Sequence, residues 1–441
     1  MAKQATTALK VGKLIDGNGG SVTDNGVIVI EGGRITAVGP ANSVSIPAEA
    51  NIIDEPSLTA MPGMMDLHLH IGQFNNLTFR NYRVAQYEIS PELQQLYMLF
   101  HSQLCFERGF TTLRDEGLMS TRGLLTDHTI AVRDSINLGI FPGPRLIVAA
   151  FTVGTGSHLD LIMPRAALRN PDATADGVEE VRKLARQNLL KGADWLKTSA
   201  SGGGGTDKES PDVRNHTQEE IDAVCDEAHA QHAYCSVHCF TPEAQRMAIN
   251  AKADTIEHMV FHSDEMIEEI VKHDIPVCPT LLHRTDLAIE VRSQTGTSAF
   301  TLEKMRKIQP FTFETFQAMH KAGVKIFMGT DMGQEPDMGS NAKELEIYVN
   351  LGMTPMEAIL TTTKNAAEAV HLDKDIGTLD VGKCADIVLV NGNPAEDITV
   401  LQPRENIKMV MKDGKIFVDR RKGHEKDVIN VDYKSWSLAD D

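Results

Sequence analysis

The chain has 441 residues, enough for roughly two to three domains or for one barrel with an accessory domain. Its 43 Lys and Arg against 61 Asp and Glu leave a formal net charge of −18, which repels nucleic acid and anionic membrane surfaces and makes a small molecule the expected partner. The six cysteines, Cys105, Cys225, Cys235, Cys239, Cys278 and Cys384, form no CxxC pair. They read as small buried apolar residues of a protein in a reducing compartment.

The N-terminal stretch MAKQATTALKVGKLIDGNGG lacks the apolar core of a signal peptide, and no run nears the ~20 apolar residues of a membrane span. The expected location is therefore the cytoplasm. Residues 6–58 alternate short β-type runs with Gly and Asn-Gly punctuation, which predicts small antiparallel strands. From about residue 60 the rhythm changes to eight short apolar runs: AMPGMMDLHLH, FTTLRDEG, PRLIVAAF, ADWLKTSAS, YCSVHCF, ADTIEHM, IPVCPTLL and VKIFMGTDMG. Helical stretches separate most of them, one opening on a Thr217–Glu220 capping box and another on Thr241-Pro242. Repeated strand–helix units with buried strands predict a parallel sheet, and eight of them predict a closed (β/α)8 TIM barrel rather than an open doubly wound sheet. SGGGGT at 201–206 lacks phosphate-loop spacing and reads as a flexible loop. The last seventy or so residues return to β-type runs, with an Asp-Gly hairpin signal at Asp413 and Gly414. Residues 1–61 and 372–441 are thus expected to form one small β-sandwich domain, and residues 62–371 the barrel.

Side chains two apart on a strand share a face, so His68 and His70 are expected to point into the barrel while Leu67 and Leu69 pack outward. An HxH pair alone is a weak signal. Its weight comes from the other run ends, where Lys197, His238, His258 and Asp331 all stand at the C-terminal rim on which barrel active sites are built. Four imidazoles and a carboxylate suit zinc or a similar divalent ion, with ligands to spare for a second. A lysine ammonium cannot ligate a cation, but the neutral amine can add carbon dioxide and become an anionic bridge. The plainer reading of Lys197 is a barrel-interior lysine paired with a carboxylate. Arg114, Asp115 and Glu116 read as a structural ion pair on the rim, and Tyr234 as packing. Cys235 and Cys239 are expected to face the outer helices, and His229, His232 and His262 to be surface or loop groups.

PGMMDLHLH, the strand-four lysine, VHCF, TIEHM, MGTD and the closing TTTKNAAEAVHLDKDIGTLDVGKCADIVLV together resemble the amidohydrolase superfamily, in its imidazolonepropionase-related branch with the Xaa-Pro and Xaa-Arg dipeptidases. The resemblance spans nearly the whole chain. It implies a metal-activated hydroxide acting on an amide-type C–N bond. It gives His68, His70 and Asp331 to a buried ion and His238 and His258 to a more exposed one, with carbamylated Lys197 bridging. Asp331 would shuttle the proton, and His158, in VGTGSHLD after the third run, would donate to the oxyanion. Association into a homo-oligomer is also implied. Where many dipeptidases of this branch carry a tyrosine two residues past the strand-five histidine, this chain has Phe240. Phe240 leaves room for a more hydrophobic substrate, and methionines near the ligands in sequence (Met259, Met328, Met332, Met338) tilt the mouth the same way. Arg284 is a candidate clamp for a substrate carboxylate, with a solvated loop arginine as its plainer reading.

The leading expectation is hydrolysis of a dipeptide or N-acyl amino acid, favoured by TGSHLD and SASGGGGT. Its rival is a urea or carbamate hydrolase acting on apolar aromatic compounds, favoured by Phe240. A non-catalytic scaffold is opposed by the filled ligand positions, and a one-metal deaminase by Lys197.

Overall fold

A computed structural model of the chain describes residues 6–73, 81–120, 123–163, 173–333 and 338–430. Sixteen strands follow in chain order among them. Four come first, β1 (Thr6–Leu14), β2 (Thr23–Glu31), β3 (Arg34–Pro40) and β4 (Asn51–Pro62). Then come β5 (Met64–Leu69), β6 (Phe110–Asp115), the short pair β7 (Met119–Ser120) and β8 (Gly123–Leu124), and β9 (Arg145–Phe151). β10 (Trp195–Ser199), β11 (Tyr234–Cys239), β12 (Thr255–His258) and β13 (Val277–Cys278) precede the C-terminal β14 (Ile387–Asn391), β15 (Ile407–Lys412) and β16 (Lys415–Asp419).

Seven of the eight apolar runs form a parallel sheet in the order β13-β12-β11-β10-β9-β6-β5. The eighth, residues 325–332, is too bent to count as a strand, yet its backbone closes the barrel. The Phe327 N–H donates to the Val277 carbonyl on one edge, while the Leu67 and His70 N–H groups donate to Met328 and Met332 on the other. The barrel strands are buried along most or all of their length, as parallel strands covered by helices must be. The Thr217 capping box and the Thr241 cap with Pro242 in the first turn both form. No helix among the described residues is long and apolar enough to cross a membrane.

In β5 the expected strict alternation fails. Leu69 packs outward with Ile71, Met98 and Leu104, but Leu67 packs with Met65, Trp195 and Phe327. The ladder with β6 slips between Asp66 and Leu69, and Asp66 Oδ1 accepts from the His68 N–H at 3.2 Å. Asp66 is itself anchored by Asn341 Nδ2 (2.6 Å) and Thr330 Oγ1 (2.8 Å). This local bulge places Leu67 and His68 on the same side of the strand.

Both chain ends meet in one seven-stranded sheet ordered β16-β15-β14-β4-β1-β2-β3. Its pairs are antiparallel except β1 with β4. The sheet curls over a core of Leu9, Ile28, Ile35, Ile387, Leu389 and Met409 until its two outer turns touch, which makes the sandwich. At that seam a Cβ on Gly414 would fall 2.6 Å from Gly33 Cα. Asp413 (φ 49°) and Gly414 (φ 73°) take the left-handed pair of a two-residue hairpin, as the Asp-Gly signal predicts. Residues 1–5 and 431–441 of the expected small domain lie outside the described residues.

Candidate metal centre

His68 and His70 at the end of β5, His238 in β11, His258 ending β12 and Asp331 in the eighth run converge on one cavity at the C-terminal mouth of the barrel, with Lys197 of β10 in its wall. Asp331 Oδ1 lies 3.3 Å from His70 Nε2 and 3.8 Å from His68 Nε2. Ligand atoms of these three residues all lie within 4.8 Å of one another. The His68 and His258 rings are 4.7 Å apart and those of His238 and His258 4.5 Å. Two of the six sit in the left-handed region, His258 at φ 74° and Asp331 at φ 55°. Thr280, which bonds His258, is there as well (φ 49°). Such backbone costs roughly 1–3 kcal/mol per residue, and it bends the strand ends so that these side chains turn inward.

Each imidazole is held by its outer nitrogen. His68 Nδ1 meets Glu257 Oε2 at 2.5 Å, His70 Nδ1 donates to the Gly117 carbonyl at 2.8 Å, and His258 Nδ1 meets Thr280 Oγ1 at 2.7 Å. Their Nε2 atoms are left for the cavity. His238 is reversed, with Nε2 donating to the Gly202 carbonyl at 3.3 Å. Fixing one nitrogen of a histidine in this way sets the other as a metal ligand. Burial, reinforced by neighbouring cationic groups, pushes His238 and His258 well below the usual histidine range, and burial with the Lys197 charge lowers His68. These rings are neutral at pH 7, the form that ligates a cation. Burial opposes charge on His70 too, but contact with Asp331 and the field of Asp115 outweigh it and raise its pKa. Asp331 is held well below the carboxylate range despite burial, by His283, His70, His258 and His68 around it.

Beneath the ligands lies a buried charge layer. Arg114 donates from Nε to the Leu67 carbonyl at 2.6 Å and from Nη2 to Glu257 at 2.7 Å, and is ion-paired with Glu116 Oε1 at 2.6 Å, its guanidinium 4.7 Å from the Trp195 ring centre. The expected ion pair exists, but inside the barrel rather than on its rim. Lys197 Nζ is 2.9 Å from Glu116 Oε2, as its plainer reading anticipates. No acceptor among the described residues is aligned for a hydrogen bond from that ammonium. The donor set of His68, His70 and Asp331 fits a divalent ion.

The glycine segment 202–205 is no flexible loop. Glu209 folds back under it and accepts from the N–H groups of Gly203 (3.1 Å), Gly205 (2.5 Å) and Thr206 (2.8 Å), while its Oε2 meets His158 Nδ1 at 2.5 Å. Lys304 donates to the carbonyls of Thr206 and Glu209 from the helix Ala299–Ala322. A Cβ on Gly203 would come 2.6 Å from the His158 ring, so the glycine is the seat of that histidine. His158 in turn stacks on His238 at 4.2 Å.

Residues 59–417 match the model of the amidohydrolase family. The chain is an amidohydrolase. It is similar to the crystal structure of a Xaa-Pro dipeptidase with methionine bound in its active site, with 31% identity and a TM-score of 0.84 over 94% of this chain and 100% of that one. It is 28% identical to ochratoxinase of Aspergillus niger over 379 residues, 81% of this chain and 75% of that protein. It is 23% identical to imidazolonepropionase of Geobacillus sp. (strain WCH70) over 425 residues, 90% of this chain and 91% of that protein. The branch read from the strand-end motifs is thus the right one, and the protein is a hydrolase of carbon–nitrogen bonds.

Around the centre of this amidohydrolase, His158, Leu159, Ile162, Thr206, His283 and Arg292 line the cavity. Two residues expected as substrate contacts, Phe240 and Arg284, are not among these lining residues. Phe240 stacks on the far side of the ligands, 4.5 Å from His238 and 5.5 Å from His258, outside the lining residues. Arg284 is neither solvated nor in the cavity wall; it is 3% exposed, with its guanidinium 5.1 Å from the Phe240 ring centre. Met259, Met328, Met332 and Met338 are all buried in the main core, so the mouth is not methionine-lined. Cys235 and Cys239 do face that core, His229 pairs with Asp254, and Tyr234 stacks between Trp195 and His371. Glu257, Glu209, His283 and Arg292 went unmarked in the sequence. Of these only Glu257, beside a strand-end histidine, carried a local signal.

Proposed function

We propose that this amidohydrolase cleaves the amide bond of a dipeptide or an N-acyl amino acid at a two-ion centre. His68, His70 and Asp331 would hold one divalent ion and His238 and His258 the other, with Lys197 as a carbamate between them. The ions, zinc in the first instance, supply the Lewis acidity that makes a water nucleophilic near neutral pH and polarises the scissile carbonyl. The observation that carries the reading is the convergence of these six side chains on one cavity, with every imidazole fixed through one nitrogen by a neighbouring group.

The protein's own groups then divide the work. Asp331, ionised and in contact with His70, accepts the proton of the attacking water and passes it to the leaving nitrogen. His158, with Nδ1 tied to Glu209, lines the cavity and is placed to donate to the oxyanion. The Glu257 carboxylate keeps the His68 ring in place against Arg114. The mixed wall of His283, Arg292 and Thr206 against Leu159 and Ile162 favours a substrate with both polar ends and apolar parts over an apolar aryl urea.

The test is a panel of dipeptides and N-acetyl amino acids beside aryl ureas and carbamates, assayed with zinc-loaded enzyme for released amino acid or amine. Turnover of the first group is expected; turnover confined to ureas or carbamates refutes the proposal. A cytoplasmic location and a homo-oligomeric state belong to the same proposal, the latter read by light scattering.

A further inference from the structure

Just past β13, Thr280 lies in left-handed backbone at φ 49°, a conformation that a β-branched residue rarely takes. Leu281 then opens a single 3-10 turn, Leu282–Arg284, whose middle residue, His283, lines the cavity. The first N–H groups of such a turn find no acceptor within it. Here one side chain takes both. Glu344 Oε1 accepts from the Leu281 N–H at 2.7 Å and Oε2 from the Leu282 N–H at 2.5 Å. Glu344 is fully buried in the first turn of the helix Lys343–Asn350, and burial pushes its carboxyl up to about 8. Charged or neutral, both of its oxygens keep lone pairs for the two N–H groups.

The Leu281 N–H shares a peptide plane with the Thr280 carbonyl, so the bond to Glu344 fixes Thr280 on its C-terminal side. Thr280 Oγ1 in turn meets His258 Nδ1 at 2.7 Å and sets which nitrogen of that ring faces the cavity. We infer that Glu344 is a positioning residue for the metal centre, holding the Thr280–Leu282 backbone in its left-handed turn and, through Thr280, orienting His258. The same end of the chain segment braces a second run, because Asn341 Nδ2 holds Asp66, whose carboxylate accepts from the His68 N–H. The inference rests on the reading of His258 as a metal ligand and adds the buried group that enforces it.

The experiment titrates metal-depleted full-length protein with cobalt(II), followed by visible absorption, and measures amide exchange of the peptide containing Leu281 and Leu282 by mass spectrometry. Wild type is compared with Glu344→Gln, Thr280→Val, the double variant and Leu345→Ala. Glutamine keeps the volume but turns an NH2 toward one of the two N–H groups. Leu345→Ala trims the core on the same helix and controls for lost stability. In Glu344→Gln one cobalt equivalent should bind roughly 10–100-fold more weakly with an altered absorption band, the other should be unchanged, and the peptide should exchange at least ten-fold faster. Thr280→Val should show the same cobalt defect, and combining the two should add little. Unchanged cobalt binding and exchange in Glu344→Gln overturn the inference, as do equal losses at both equivalents, the same changes in Leu345→Ala, or full additivity in the double variant. If Glu344→Gln does not fold, Glu344→Asp, whose shorter stem cannot span both N–H groups, decides by the same readings. If wild type binds fewer than two cobalt ions, the two-ion reading has failed, and exchange alone decides. Faster exchange in Glu344→Gln but not in Leu345→Ala then upholds the Glu344 assignment; equal exchange overturns it.

Discussion

Asp331 concentrates several constraints in one side chain. It sits in left-handed backbone, contacts His70, and is kept ionised against burial by the imidazoles around it. Asp331→Asn removes both the proton acceptor and a charged ligand while keeping the volume. Turnover should fall by roughly 10²–10⁴-fold with the melting temperature little changed. Wild-type rates in that variant would refute the proton-shuttle role. His101, one layer behind the site, makes a separate prediction about pH. It is buried with Nδ1 donating to the Ile71 carbonyl at 2.6 Å, and burial lowers its pKa from 6.5 to about 4. In the fold it stays neutral where the unfolded chain would already bind a proton. Its contribution is therefore fully present above pH 6.5 and is lost as the pH falls through 4, a swing of roughly 3 kcal/mol. Urea denaturation across that window should show the fall in wild type and a shallower one in His101→Gln; identical slopes would contradict it.

At the scale of elements, the glycine segment after β10 acts as a rigid cradle. Gly203→Ala should push the His158 ring off its seat and lower kcat at least ten-fold, with metal content retained. A variant with unchanged kcat would show that His158 is not positioned by this contact. The same scale explains what the sequence could and could not reveal. Side-chain period and rim position were enough to gather His68, His70, Lys197, His238, His258 and Asp331, because each closes or follows an apolar run. Alternation was misleading wherever the backbone bends. The bulge at Asp66 turns Leu67 inward beside His68, and the positive φ of His258 lets Glu257 and His258, adjacent in sequence, both face the interior. Glu209, His283 and Arg292 come from loops and an outer helix, where no periodic pattern points at the cavity. The ring of run ends was legible; the groups that orient it depend on tertiary contacts.

Over the whole molecule, the design is a barrel whose strand ends bring six side chains to one cavity, two of them on strained backbone, with both chain ends joined in a sheet that continues directly from β4 into β5. Deviant backbone at His258, Thr280 and Asp331 is destabilising by itself and persists because the packed barrel beneath over-determines it. Bound cations would return part of that cost, so chelation should abolish activity and lower the melting temperature together, with zinc restoring both. An unchanged melting temperature and rate after chelation would break this link. The most direct measurement is anomalous diffraction at the zinc edge from crystals grown with zinc and bicarbonate. Two peaks are expected, one among His68, His70 and Asp331 and one between His238 and His258, with extra density beyond Lys197 Nζ reaching both. A mouth with no anomalous signal, and Lys197 as a plain amine still paired with Glu116, would contradict the two-ion centre.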